Sequence, residues 1–216
     1  MNRPFDLVIF DCDGVVVDSE PIGNRVFGEW LAELGLNLSE EERHQLFLGR
    51  SLAENLRIVE QRLGRPIPAD AVAQYKKRRD KVLREEVEAM RGIPELLDRL
   101  DLPYCIASSG DHDKMRATLG GTGLLPLFEG RLFSATEVPR AKPAPDVFLY
   151  AAKRMGAAPS RCVVIEDSVN GVKAAHTAAM TVFGFAGLMP AADLTAAGAD
   201  ETFTEVEQLV AMLGLA

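Results

Sequence analysis

The sequence predicts an α/β protein: a Rossmann-like parallel sheet core with an inserted all-helical cap domain. Three observations carry this. Short, mainly apolar runs recur along the chain, as strands buried on both faces of a parallel sheet require. Helical patterns of crossover length separate the later runs. Between the first run and the second, the pattern is helical throughout.

Taken in order, the first strand is Leu7–Phe10 and the second Tyr104–Ala107. The remaining strands are Arg131–Phe133, Cys162–Ile165 and Thr181–Phe185. Core helices are expected at Pro94–Leu100, Asp111–Leu119, Pro145–Met155 and Val169–Ala178. Strands alternating with helices imply a mainly parallel sheet. The insertion reads as helices over Pro21–Leu34, Glu40–Phe47, Leu52–Leu63 and Pro68–Glu88. Ser39-Glu40-Glu41-Glu42 has the form of a capping box, with a hydroxyl at the helix start and an acid three residues on. Gly35, Gly64 and Gly92 punctuate helix ends. The core is therefore assigned to residues 1–17 and 90–216 and the cap to residues 18–89. A helical insertion beside the carboxyl edge of a sheet suits a lid that excludes water.

Bulk properties exclude several classes. The chain has 216 residues, 47% hydrophobic and 26% charged, with a formal net charge of −8. An acidic protein of this size offers no nucleic-acid surface. No apolar run approaches a membrane span. The opening MNRPFDLVIF lacks a signal-peptide layout. Cys12, Cys105 and Cys162 each lie in or beside apolar runs with no metal spacing, which reads as buried, reduced thiols, so a cytoplasmic protein is expected. A monomer is the default oligomeric expectation.

In an open parallel sheet, ligands bind outside the carboxyl ends of the strands. The residues that follow each run are therefore the candidates. Asp11 and Asp13 follow the first strand, and Ser108, Ser109 and Gly110 end the second. Lys142 follows the third, and Glu166 and Asp167 follow the fourth. Crowded carboxylates repel one another or take up protons; a divalent cation resolves the conflict. Oxygen-only ligands with room for water and phosphate suit Mg²⁺, and no His or Cys stands where zinc would need one. Asp11 and Asp167 are the expected carboxylate ligands, with Asp13 lending its backbone carbonyl. Ser108-Ser109-Gly110-Asp111 runs into a helix start, where free N–H groups favour an anion. With Lys142 and a cation, this describes a phosphate site. Asp11 is placed to attack phosphorus, and Asp13 to protonate the leaving oxygen and then activate water.

These residues meet a known pattern. D11-C-D13-G14-V-V-V-D18-S19-E20, Y-C-I-A-S108-S109-G, K142-P143-A-P-D146 and V-V-I-E166-D167-S168-V-N-G171 follow one another, each after an expected strand. In this the chain resembles the haloacid dehalogenase superfamily, in the group with a helical cap after strand one. The resemblance implies a nucleophile and metal ligand at Asp11 and an acid/base and carbonyl ligand at Asp13. It also implies phosphate holders at Ser108 and Lys142, and a metal ligand at Asp167 with Glu166 in or next to that shell. Asp13 sets the chain apart from the dehalogenases and phosphonatases of the superfamily. Ser19-Glu20-Pro21-Ile22-Gly23 lacks the hinge histidine of β-phosphoglucomutases, which favours water as the acceptor. The stretches after Ser109 and at Leu132-Phe133-Ser134 are similar to sugar-phosphate phosphatases of the 6-phosphogluconate type. The expected activity is a Mg²⁺-dependent phosphatase acting on a small phosphate ester, a sugar phosphate or sugar-acid phosphate. A sugar phosphomutase is the alternative.

Four further readings concern side chains around this rim. Asp18 is expected to fix the hinge turn or cap the first cap helix through Ser19 and its neighbours, the alternative being a substrate contact. Ser109 has a helix-cap reading beside its phosphate reading. Lys76-Lys77-Arg78-Arg79 reads as a solvated helix face, the alternative being that one of them, or Arg50, points into the cleft and reads an acidic or polyol substrate. Arg50, in Leu48-Gly49-Arg50-Ser51, is the cap residue expected to touch substrate. Trp30 is read as cap core.

Overall fold

The computed structural model describes residues 4–47 and 50–215. The strand expected first is β1, Leu7–Phe10. It is central because it is apolar on both sides. Val8 and Phe10 face one apolar cluster; Leu7 and Ile9 face another. The neighbouring strands β4 (Tyr104–Ser108) and β6 (Cys162–Glu166) divide their side chains the same way. With β5 (Leu132–Ser134), β7 (Thr181–Phe185) and β8 (Glu201–Phe203), they form a six-stranded sheet in the order β5-β4-β1-β6-β7-β8. Every pairing in this sheet is parallel. The strand order reverses at β1, which is where a crevice opens at the carboxyl edge.

Helices cover both faces. Helices α5 (Ile93–Arg99), α6 (His112–Gly121), α7 (Leu125–Phe128) and α11 (Gln208–Met212) contribute Leu96, Leu97, Met115, Phe128 and Leu209 to the first cluster. Helices α8 (Asp146–Met155), α9 (Val169–Thr177) and α10 (Ala191–Ala197) contribute Phe148, Ala151, Val172 and Leu194 to the second.

The insertion is helical, as expected: α1 (Glu20–Glu33), α2 (Glu40–Phe47), α3 (Leu52–Leu63) and α4 (Ala69–Glu86). These helices have their own apolar cluster, which includes Val26, Phe27, Trp30, Phe47 and Tyr75. Trp30 stacks on Tyr75 with ring centroids 4.6 Å apart. Ser39 and Glu42 form the expected capping box, with N–H contacts of 2.7 and 3.2 Å. The chain enters and leaves the insertion through a two-stranded antiparallel ribbon, β2 (Val17–Asp18) and β3 (Glu88–Ala89). Neither strand was expected. Two residues are too few to show alternation, and the partners are far apart in sequence. The last cap helix was expected to run to Glu88, which lies in β3 instead. The edge strand β8 was also missed, being short and polar at its start.

The basic run on α4 departs from its expectation. Only part of it faces solvent. Arg78 pairs with Glu29 and Glu33 within the insertion, whereas Arg79 is buried at 5% exposure. Arg79 falls one turn after Tyr75 and one before Leu83, on the buried stripe of α4. Asp111, the N-cap of α6, ties the two halves together. Its Oδ1 accepts from the Lys114 N–H at 2.9 Å, and its carboxylate pairs with Lys76 at 2.8 Å and Arg79 at 3.3 Å. Burial works to raise its pKa, but Lys76, the Lys114 N–H and Arg79 outweigh it and hold the carboxyl at about 2.

This sets a pH dependence. A carboxyl depressed from 3.8 to about 2 contributes its full stabilisation above the higher value and loses it as pH falls toward the lower. Asp111→Asn keeps a good helix cap and removes the charge. Urea unfolding should find the variant less stable than the parent near neutral pH, with the gap closing as pH falls from about 4 to about 2.

Candidate active site

Site residues sit where backbone pairing ends. Phe10 is the last residue of β1 in register with both neighbours. The next N–H, that of Asp11, still donates to Ile165 O at 2.9 Å. The Asp11 side chain is therefore fixed at the sheet's edge, 7% exposed. Lys142 reaches it from the segment before α8. Its Nζ donates to Asp11 Oδ1 at 2.5 Å, Glu166 Oε1 at 2.5 Å and Ala107 O at 3.1 Å. Its ammonium also lies 4.7 Å from the Phe148 ring centroid. Lys142 is only 3% exposed, so nearly all its solvation comes from these groups. An ion buried without such partners would cost several kcal/mol.

Burial pushes the Asp11 carboxyl up to about 7, with Lys142 opposing and Glu166 and Asp13 adding to the rise. Asp167 is also raised well above its ordinary value, by burial, then by Glu166, Asp11 and Glu20. Burial disfavours the Lys142 ammonium, but Asp11 and Glu166 raise its pKa above the ordinary lysine value. Two carboxyls held above their usual range mark a place short of positive charge.

Glycines permit the close approaches. Gly14 has φ +79°, and a Cβ there would lie 2.1 Å from Asp167 Oδ2. Only glycine lets the chain after β1 pass this close to that carboxylate. Gly171, on α9, is the floor under Glu166: a Cβ would lie 1.7 Å from Oε1. Glu166 Oε2 accepts from the Ser168 N–H at 2.9 Å and from Ser168 Oγ at 3.0 Å. Both oxygens of Glu166 are thus occupied by protein donors.

Asp13 points elsewhere. Lys114 Nζ lies 2.8 Å from its Oδ2, and Ser19 Oγ donates to its Oδ1. Burial favours the protonated form, but Lys114 and Ser19 bring the net pKa below the usual value. Ser19 was expected to help cap α1; its hydroxyl makes no cap bond there and is used on Asp13 instead. Ser108 is buried, and its Oγ accepts from the Gly110 N–H at 3.0 Å. The α6 cap is Asp111 rather than Ser109.

A cleft of about 1000 Å³ joins the sheet edge to the helical insertion. Asp11, Asp13, Ser108, Ser109, Lys142 and Asp167 all line it. Glu166 and, from the insertion, Arg50 line it too. Arg50 is exposed, and the Leu48-Gly49 half of its loop lies outside the described residues. His112 is directed away to Glu137, 2.9 Å from its Oε2. Sequence reasoning missed Lys114 and Ser19 as cleft residues, and for Arg79 it held a cleft-facing role only as the alternative to a solvated face. For Lys114 a signal existed: the first turn of a helix that follows a strand exit faces the same rim.

No group of three or more His, Cys, Asp or Glu side chains among the described residues is arranged to hold a metal ion alone. The donor set nonetheless fits Mg²⁺. That ion commonly takes one or two carboxylates and keeps waters and substrate oxygens for the rest. Asp11 and Asp167 are two such carboxylates, and both are held toward protonation by burial first and by neighbouring carboxylates second.

Opposite charges meeting at the switch point of a parallel sheet, under a helical insertion, define an α/β enzyme for an anionic substrate. Comparison with known proteins names the family. The profile of the haloacid dehalogenase-like hydrolases matches residues 5–179. The chain is 34% identical over 186 residues to the 6-phosphogluconate phosphatase of Escherichia coli K12, covering 86% of this chain and 84% of that protein. A haloacid dehalogenase-like protein from Agrobacterium tumefaciens superposes with a TM-score of 0.81 at 37% identity, covering 97% of this chain and 98% of that one. A haloacid dehalogenase family hydrolase from Deinococcus radiodurans, solved with phosphate and sodium, gives 0.77 at 33% identity, covering 99% and 96%. The chain belongs to the haloacid dehalogenase-like hydrolases, and it is a phosphoric monoester hydrolase.

Gly171→Ala tests the floor under Glu166. The methyl group should displace Glu166 from Lys142 and leave a buried ion less well paired. Steady-state phosphatase assays should show kcat/KM down by about tenfold or more, since misplacing a positioning group is costly.

Proposed function

We propose that the protein is a Mg²⁺-dependent phosphatase for a sugar phosphate or sugar-acid phosphate, working through an aspartyl-phosphate on Asp11. The observation that carries this is the bond from buried Lys142 to Asp11 at the exit of the central strand. It puts a nucleophile and a fixed positive charge at one point. We take residues 18–89 as a cap over a core of residues 1–17 and 90–216.

In the first step an Asp11 carboxylate oxygen attacks phosphorus and the P–O bond to the sugar breaks; Asp13, ionised beside Lys114 in the free protein, first takes a proton from the monoanionic phosphate ester and passes it to the departing oxygen. Lys142 and Ser108 hold the phosphoryl oxygens. Lys114 and Ser19 stabilise the Asp13 carboxylate left behind. That form then takes a proton from water, whose oxygen attacks phosphorus and releases Asp11 and inorganic phosphate. Glu166 serves as a positioning residue, holding Lys142 by one oxygen. Asp11, Asp167 and the Asp13 backbone carbonyl would hold Mg²⁺, which when bound neutralises charge on the transferring phosphoryl group. Arg50 on the cleft wall would meet an acidic end of the substrate. The likeness to 6-phosphogluconate phosphatase supports the substrate class.

The phosphomutase reading keeps the first step and returns the phosphoryl group to a sugar. Gly23 stands in α1, in the stretch where the mutases carry their hinge histidine, which favours hydrolysis. Phosphate release from a panel of sugar phosphates separates the two, because a mutase converts isomers and liberates little phosphate.

Two outcomes are expected. Asp11→Asn should abolish turnover and EDTA should stop the parent enzyme; full activity in either condition removes the scheme. Mg²⁺ should also raise Tm, more at about pH 8 than at about pH 6. Ionising Asp11 costs stability as pH rises from 3.8 toward about 7, the cation offsets that cost, and protons compete with it below that range. A calorimetric scan with no Mg²⁺ effect at either pH would remove the metal assignment.

A further inference from the structure

Ser134 ends β5 directly beside Ser108, the last residue of β4, and the two are register partners across the parallel pair. Ser134 is 0% exposed, so whatever it does it does through protein groups. Its Oγ donates to Gly110 O at 2.7 Å. A carbonyl oxygen only accepts, so the one proton of Ser134 is committed there. The same oxygen accepts from the Thr136 N–H at 3.1 Å and lies 2.8 Å from Thr136 Oγ1. With the Ser134 proton on Gly110, Thr136 is the donor in both contacts. The hydroxyl has its donor and both its acceptor positions filled, which leaves it a single orientation.

Gly110 is thereby held from two sides. Its carbonyl accepts from Ser134, and its N–H donates to Ser108 Oγ at 3.0 Å. Glycine turns freely about its backbone, so these two bonds decide where that N–H points. A Ser108 oxygen that accepts from Gly110 keeps its own proton for another acceptor. The far end of the bridge is anchored as well. The Ser134 N–H donates to Glu137 Oε2 at 2.8 Å, and Glu137 Oε1 accepts from Tyr150 OH, on α8, at 3.1 Å. The segment between Ser134 and α8 carries Lys142. One buried hydroxyl thus joins the turn after β4 to the loop that brings Lys142 to the sheet edge.

Resting on the phosphatase reading above, we propose that Ser134 is a positioning residue for the phosphate site: by holding Gly110 O it keeps the Gly110 N–H on Ser108 Oγ and leaves the Ser108 proton for a phosphoryl oxygen. It touches no reacting atom. Ser134 also caps the short 3₁₀ turn Ala135–Glu137. A residue with that duty alone would lower Tm when removed and leave phosphate affinity unchanged, and this separates the two roles.

The experiment is a double-mutant cycle of Ser134→Ala with Ser108→Ala. It reads Kd for inorganic phosphate by titration calorimetry with Mg²⁺, and kcat/KM on the best ester of the sugar phosphate panel. Ser134→Ala alone should weaken phosphate binding about threefold or more and lower kcat/KM about tenfold or more. In the Ser108→Ala background the same substitution should change Kd by less than about twofold, because no hydroxyl is left at position 108 to orient. Circular dichroism confirms that each variant is folded. Ser134→Cys, close in shape and only a weak donor, reads the same cycle should the alanine variant fail to fold. A weaker effect on Kd in the parent background, or a larger one in the Ser108→Ala background, overturns the positioning role and leaves the phosphatase reading standing. A parent enzyme that hydrolyses no ester of the panel overturns the phosphatase reading and this inference with it.

Discussion

The structure turns on one buried ammonium group. Lys142 is almost wholly removed from water and survives as a cation because Asp11, Glu166 and the Ala107 carbonyl surround it. The converse also holds. Three carboxyls, Asp11, Glu166 and Asp167, lie near the same edge, and Lys142 alone bonds two of them. Removing either side would strand buried charge, an outcome worth about 3–5 kcal/mol. The surrounding fold reads as a means of keeping this arrangement rigid and dry.

The sheet provides rigidity through β1. Its four residues divide evenly between two apolar clusters, and both flanking strands pair with it in parallel. Asp11 can therefore neither slide nor rotate away without breaking register on two sides. Gly14 and Gly171 then let Asp167 and Glu166 close in to distances that a side chain would forbid. The charge cluster is dense because backbone without Cβ atoms leaves room for it.

The helical insertion supplies what a flat sheet edge lacks: a second wall. It packs around its own aromatic cluster, with Trp30 stacked on Tyr75. It joins the core through the β2–β3 ribbon and through the Lys76 and Arg79 pairs to Asp111. The two walls carry different chemistry. The sheet edge presents buried charge, and the insertion lines the opposite side of the cleft with residues that include Arg50.

Much of this was legible in the chain itself. Mainly apolar runs followed by Asp11, Ser108, Lys142 and Glu166-Asp167 determined a parallel sheet with a polar rim, because a strand buried on both faces has no other composition and its exit no other direction. The helical interval after the first run likewise determined an insertion. What the sequence could not decide depends on partners distant along the chain. The β2–β3 ribbon is two residues on each side, too short for any periodic signal. Ser19 had a choice between its own helix and Asp13, and only the three-dimensional approach of the two selected Asp13. Arg79 looked like part of a solvated run until α4 packed its Tyr75–Leu83 stripe inward. Local pattern records which groups a residue can satisfy; tertiary packing determines which of them it meets.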